Sequence, residues 1–157
     1  MKTLKVLTAV LCICAVLFGL SACSKKTPQT VDGFRSTMEE AGFQVYDVTQ
    51  ATDSDNRATA IIVAKSVAYQ IEFWEITDEK TAENMFDGFK TTFDNEHPVK
   101  TLGVAENKGN YNYYEFMADG TFHMVARIGN TIIRCEAPDA YKDEVKGYLE
   151  TLGYKEK

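Results

Sequence analysis

The chain has 157 residues, with 17 basic and 23 acidic side chains, a formal net charge of −6 and 45% hydrophobic residues. Two of the basic residues, Lys2 and Lys5, fall in a leader; without them, 15 basic residues face 23 acidic ones and the charge is −8. Such a balance argues against nucleic acid as a partner, because that needs a basic footprint. The length suits one small domain with its own core.

Lys2 and Lys5 form a positive start. Val6 to Leu20 (V-L-T-A-V-L-C-I-C-A-V-L-F-G-L) is then apolar apart from Thr8. The run is shorter than the ~20 residues of a spanning helix and fits the apolar region of an export signal. It ends in Leu20-Ser21-Ala22-Cys23, which resembles the bacterial lipobox. The resemblance implies a signal peptide over 1–22, thioether lipidation of Cys23 and cleavage before it. An ordinary secretory signal and an uncleaved anchor helix are the competing readings. Two or more acyl chains make a stable anchor, at about 0.8 kcal/mol per buried CH₂. The mature protein is therefore expected on the extracytoplasmic face of a cell membrane, held by palmitate-type chains.

Cys12 and Cys14 leave with the leader and Cys23 is taken by lipid, so Cys135 is the one mature thiol and no intrachain disulfide is expected. A small buried apolar role suits it better than a redox or nucleophilic one. Residues 23–30 are expected to be the lipidated cysteine and a tether. Ser24 to Thr30 is polar and spans roughly 25 Å at full extension. Lys25 and Lys26 would each gain ~1 kcal/mol near an anionic leaflet.

Residues 31–157 read as a single α+β domain. Thr30 suits an N-cap, and Val31, Phe34, Met38 and Ala41 fall at helical spacing before Gly42. Phe43 to Thr49, Ala58 to Ala64 and Val67 to Ile76 read as strands, with Gln50 to Arg57 as a polar loop. Thr77 or Asp78 caps a second helix with Ala82, Met85, Phe86, Phe89 and Phe93 as its apolar stripe. Val99 to Asn112 has no clear period. From Tyr111 to Ala137 two hairpins follow. A three-residue loop Ala118-Asp119-Gly120 would set Phe116 against Phe122 and Tyr114 against Met124. A two-residue loop Gly129-Asn130 would set Ala126 against Ile133 and Met124 against Cys135. Asp139 then caps a third helix carrying Tyr141, Val145, Tyr148, Leu149 and Leu152, stopped by Gly153. The expected architecture is a mostly antiparallel sheet of five or six strands with three packed helices, in the order α-β-β-β-α-β-β-β-α. The first helix ends M-E-E-A-G-F and the last Y-L-E-T-L-G-Y, through duplication or through shared capping chemistry.

Few residues carry a chemical signature. Asp53-Ser54-Asp55-Asn56 begins like a calcium loop but continues with Ala58 and Ala64 in the slots for glycine and the last carboxylate. His97 and His123 are the only histidines, no zinc spacing appears, and neither a metal nor a cofactor is expected. His123 should pair across strands with Glu136 at the surface. Nucleophile-elbow and phosphate-loop motifs are absent. The expected hairpin registers put Tyr113, His123, Arg127 and Arg134 on one sheet face, which Trp74 would join. Either a helix covers that face, with the arginines reaching outward, or it is open and binds a ligand. Arginine there would pair with carboxylate or phosphate, and tyrosine would stack on sugars or side chains.

G-F-Q-V-Y-D-V-T after the first helix, Y-Q-I-E-F-W-E-I-T-D-E-K-T-A-E-N-M-F, the V-A-R-I-G-N-T-I-I-R hairpin and the terminal Y-K-D-E-V-K-G-Y-L-E-T-L-G-Y together resemble a group of small lipoproteins of low-GC Gram-positive bacteria. The resemblance spans nearly all the mature chain. It implies placement on the outer face of a cell membrane and carries no catalytic residues over. Three functions remain open at this point: a module binding a protein or small ligand, an envelope enzyme acting on wall or glycan substrates, and a structural spacer.

Overall fold

The computed structural model describes residues 25–52 and 55–156; the leader, Cys23, Ser24, Asp53, Ser54 and Lys157 lie outside the described residues. Helix α1 (Val31–Glu40) starts as its sequence predicts: Thr30 Oγ1 accepts the Gly33 N–H at 3.0 Å. Phe34 and Met38, one helical turn apart, are fully buried. Gly42 then turns the chain at φ +89°, and the Phe43 N–H bonds back to Met38 O. The last helix, α4 (Lys142–Thr151), ends with the same turn at Gly153, and the Tyr154 N–H bonds to Leu149 O. Shared capping chemistry thus accounts for the likeness of the two helix ends, and each delivers a buried aromatic ring.

Seven strands form one sheet: β1 (Gln44–Asp47), β2 (Ala58–Lys65), β3 (Gln70–Ile76), β4 (Thr101–Lys108), β5 (Tyr111–Ala118), β6 (Thr121–Ile128) and β7 (Thr131–Pro138). Their order is β1-β2-β3-β7-β6-β5-β4, and every neighbouring pair is antiparallel. Two meanders, β1–β3 and β4–β7, therefore meet at the β3–β7 seam. Besides α1 and α4 there are a one-turn helix α2 (Thr49–Thr52), in what was expected to be loop, and the long α3 (Glu79–Glu96). A 3₁₀ turn, Asp139–Tyr141, precedes α4, and no side chain caps it. Asp78, by contrast, caps α3 by accepting the Thr81 N–H at 2.8 Å.

The fold class is α+β, as expected, with more strands and helices than the five or six and three foreseen. β4 is the added strand. It is an edge strand, largely exposed, with a register shift between Leu102 and Ala105, so no alternation announces it. β3 starts at Gln70, three residues later than expected. The Ser66 hydroxyl accepts the Ala68 and Tyr69 N–H groups, making a tight turn that leaves Val67 fully exposed. The segment expected to be a free tether is folded onto the domain from Lys26 to Thr30.

The sheet has helices on both faces. On the first, α1 and α4 bury Phe34, Met38, Val145 and Leu149 against Ile62, Phe73, Met124 and Ile133. On the second, α3 buries Ala82, Phe86 and Phe93 against Ile76, Phe116, Val125 and Ile132. Each such side chain apart from Ala82 contributes ~1.5–3 kcal/mol by leaving water.

Candidate functional site

One expected register is off by one residue, and this rearranges the candidate face. The β5–β6 loop has two residues, Asp119 at φ +49° and Gly120 at φ +75°, the twist that suits a tight hairpin. It sets Met117 against Phe122 and Phe116 against His123, in place of Phe116 against Phe122. A slip of one residue sends every side chain of a strand to the other face. Tyr113 therefore lies on the first face with Met124 and Ile133, apart from the other four candidates. The β6–β7 register agrees with the sequence reading: Ala126 pairs Ile133 and Met124 pairs Cys135.

His123, Arg127, Arg134 and Trp74 do share the second face, but α3 closes most of it. Arg127 is 2% exposed. Its Nε donates to Asn112 Oδ1 at 2.6 Å and its Nη1 donates to Gly129 O at 2.9 Å, while Glu79 Oε1 stands 3.7 Å away. His123, expected at the surface, is also 2% exposed and stacks on Phe116. Its Nδ1 is 3.3 Å from Glu136 Oε2 without hydrogen-bonding geometry, and Nε2 has no hydrogen-bond partner among the described residues. Burial holds this imidazole below its ordinary value, Glu136 opposes that, and His97 and Arg134 add to it. Arg134 binds Glu136 and lies 3.9 Å from Glu72 Oε2, with its guanidinium over the Phe89 and Phe93 rings of α3. Of the two readings of this face, the helix-covered one holds, but Arg127 is paired beneath α3 and does not reach outward, and Arg134 Nε has no hydrogen-bond partner among the described residues.

One uncovered part of this face lies beyond Trp74. α3 contacts β3, β7 and β6, and among the described residues no helix lies over the second face of β1 and β2 except α2 at one end. A groove of about 430 Å³ results. Ile61 and Val63 of β2 floor it, Tyr46 of β1 and Trp74 of β3 wall it, and Lys65 and Glu72 stand at one end. β1 and β3 are two strand spacings apart, about 10 Å, which sets the width. α2 is fixed at the other end by the Ile61 N–H, which donates to Thr49 Oγ1 at 2.8 Å. Trp74 packs edge-on against Phe89 at 5.7 Å, and its Nε1 donates to Glu72 Oε2 at 3.3 Å. Gln70 Nε2 donates to the other oxygen of Glu72 at 3.0 Å. Glu72 is thereby a fixed acceptor, while the neighbouring Lys65 ammonium is exposed. Of the residues singled out in the sequence, Trp74 alone reaches this groove.

On the first face the register shift creates a cluster that sequence reasoning missed. Tyr113 Oη donates to Glu115 Oε2 at 2.5 Å, and Lys146 Nζ of α4 donates to Glu115 Oε1 at 2.7 Å. Glu115 is 5% exposed, so the buried carboxylate is held by one cation and one phenol. Burial, with Glu115 beside it, raises the Tyr113 phenol far above its usual range. The Cys135 thiol is buried and raised in the same way, as an inert core residue would be.

Among the described residues no group of three or more histidine, cysteine or carboxylate side chains is placed to hold a metal ion. Asp55 of the calcium-like loop lies 3.3 Å from Arg57, and Asp53 and Ser54 lie outside the described residues. No described helix is long and apolar enough to cross a membrane. Compared with known proteins, the chain matches no family model, no curated protein and no solved structure.

Proposed function

We propose that the protein is a lipoprotein, anchored through Cys23 to the outer face of a cell membrane, that binds a ligand or a segment of a partner protein in the groove between Tyr46 and Trp74. The anchor rests on the leader and the Leu20-Ser21-Ala22-Cys23 tetrad. The binding role rests on one observation: beyond the reach of α3, the second face of β1–β3 keeps an aliphatic floor flanked by two aromatic rings. Tyr46 is 47% exposed there. Apolar surface with a few fixed polar groups is what ligand sites consist of. The width admits one sugar ring or one extended peptide strand, and the polar end offers Glu72 as acceptor and Lys65 as cation.

Trp74 is the only tryptophan of the chain, so binding in the groove reports itself. The purified full chain is titrated with soluble peptidoglycan fragments and with short apolar peptides while tryptophan emission is followed. A blue shift and loss of acrylamide quenching are expected with the native chain and not with Val63→Glu, which places a charge on the groove floor. A ligand held equally well by Val63→Glu, or no response to either class, overturns the groove. A native mass without lipid on Cys23 overturns the anchor.

A further inference from the structure

The residues between the leader and α1 are built into the domain. The Lys26 N–H donates to Asn110 Oδ1 at 3.0 Å, and Asn110 Nδ2 donates back to Lys26 O at 2.8 Å. The Lys26 ammonium lies 3.7 Å from the centre of the Tyr111 ring and 3.5 Å from Glu156 Oε1. Pro28 packs on Gly129 so closely that a Cβ there would meet its Cγ at 3.0 Å. The Gln29 backbone bonds to the Tyr154 hydroxyl, and Thr30 caps α1. Asn110 belongs to the β4–β5 turn and Gly129 to the β6–β7 turn, so this strap is fastened to one end of the sheet.

We propose that the strap sets the pose of the domain on a lipid surface. The end with the β4–β5 and β6–β7 turns faces the membrane, and the end with the β2–β3 and β5–β6 turns faces away. This inference rests on the lipidation of Cys23 proposed above. From Cys23 to Lys26 the chain spans roughly 11 Å at most, comparable to a headgroup layer of roughly 5–8 Å per leaflet. Strands of eight residues carry the far turns roughly 26 Å further out. A free tether of seven residues would let the domain roll over; a strap fastened from Lys26 onward brings the first fixed residue to within three positions of Cys23.

Three cations at the near end are paired with carboxylates, while Asp32 and Asp78 stand at the same end. Lys26, Lys108 and Lys155 are paired there with Glu156, Glu106 and Glu150, which limits the repulsion an acidic chain meets from an anionic leaflet. At the far end stand two exposed valines, Val67 and Val99. The groove then opens sideways, parallel to the membrane, where a partner anchored in the same leaflet can reach it.

The test uses the full lipidated chain in vesicles of phosphatidylglycerol and phosphatidylethanolamine doped with a headgroup-nitroxide lipid. Cys23 is blocked by lipid and Cys135 is buried, so a fluorophore attaches selectively to Lys108→Cys at the near end or Val67→Cys at the far end. Strong quenching is expected at position 108 and none at position 67. Releasing the strap with Asn110→Ala, or with Pro28→Gly if the first variant fails to fold, should abolish the contrast. Equal quenching at both positions on lipidated protein overturns the pose alone, and a contrast that survives strap release overturns the strap as its cause. An unlipidated Cys23 overturns the pose and the anchor together.

Discussion

His97 and His123, the two histidines of the chain, lie against each other with ring centroids 4.3 Å apart. His97 is the C-cap of α3 and His123 sits on β6, so this contact joins the end of the helix to the sheet beneath it. Burial lowers the His123 value in the folded chain, so the fold resists a proton that the unfolded chain accepts. Stability is therefore complete above the unfolded value of about 6.5 and declines as pH falls through it. Thermal melts of the mature domain should show a falling midpoint from neutral pH down to about pH 5, each ~1 kcal/mol lost reading as roughly 3–5 °C. His123→Phe, which keeps the stack on Phe116, should flatten that decline. An unchanged slope would assign the loss to other groups.

Arg127 is a structural cation, and its substitution should be read as stability. Arg127→Ala removes two charge-assisted hydrogen bonds, to Asn112 and Gly129, at ~1.5–3 kcal/mol each. A loss of roughly 3 kcal/mol or more is expected in urea unfolding. Arg127→Glu should be worse, since a buried carboxylate would face the Asn112 and Gly129 oxygens in place of a donor. Recovery of Arg127→Glu as a folded protein of native stability would contradict this burial.

Gly103 marks the place where β4 comes closest to β5. A Cβ added there would meet the Glu115 carbonyl oxygen at 2.0 Å, an impossible approach to backbone. Gly103→Ala must push the edge strand away and disturb the buried Glu115–Lys146 pair. The expected cost is ~1–3 kcal/mol, with hydrogen exchange accelerated over Thr101–Lys108 first. Exchange unchanged in β4 would show that the close approach is relieved elsewhere.

How much of this could be read from the sequence depended on whether a pattern had one solution. The stripes Phe34–Met38, Ala82–Phe86–Phe93 and Val145–Leu149 had one, and the helices stand where those stripes place them. The Gly129-Asn130 loop fixed β6 against β7 for the same reason. β5 had two, because Tyr111-Tyr113-Met117 and Tyr114-Phe116-Ala118 are both apolar and either set can face either core. A two-residue or three-residue loop at Asp119-Gly120 decides between them, and both accept glycine in the left-handed region. The strap depends on the Asn110 side chain, which leaves no periodic trace. The covered arginine face was foreshadowed by α3 itself, whose five apolar positions from Ala82 to Phe93 need a surface of that size. The groove was legible only as the remainder: Tyr46 and Val63 lie on the face of Trp74, where the last helical contact is that of Phe89.

The seam between β3 and β7 bears on how the chain acquires its structure. Within each meander, strands pair with close sequence neighbours, but Ile71 must find Cys135 and Phe73 must find Ile133. Until the chain is complete through Pro138, β3 has a bare edge carrying two of the most buried residues of the first core. Local meanders form quickly, whereas distant strand pairing is slow and open to aggregation while it waits. The last strand to be made is thus the one that turns two partial sheets into one, and a chain cut before Thr131 leaves the first half with an adhesive edge.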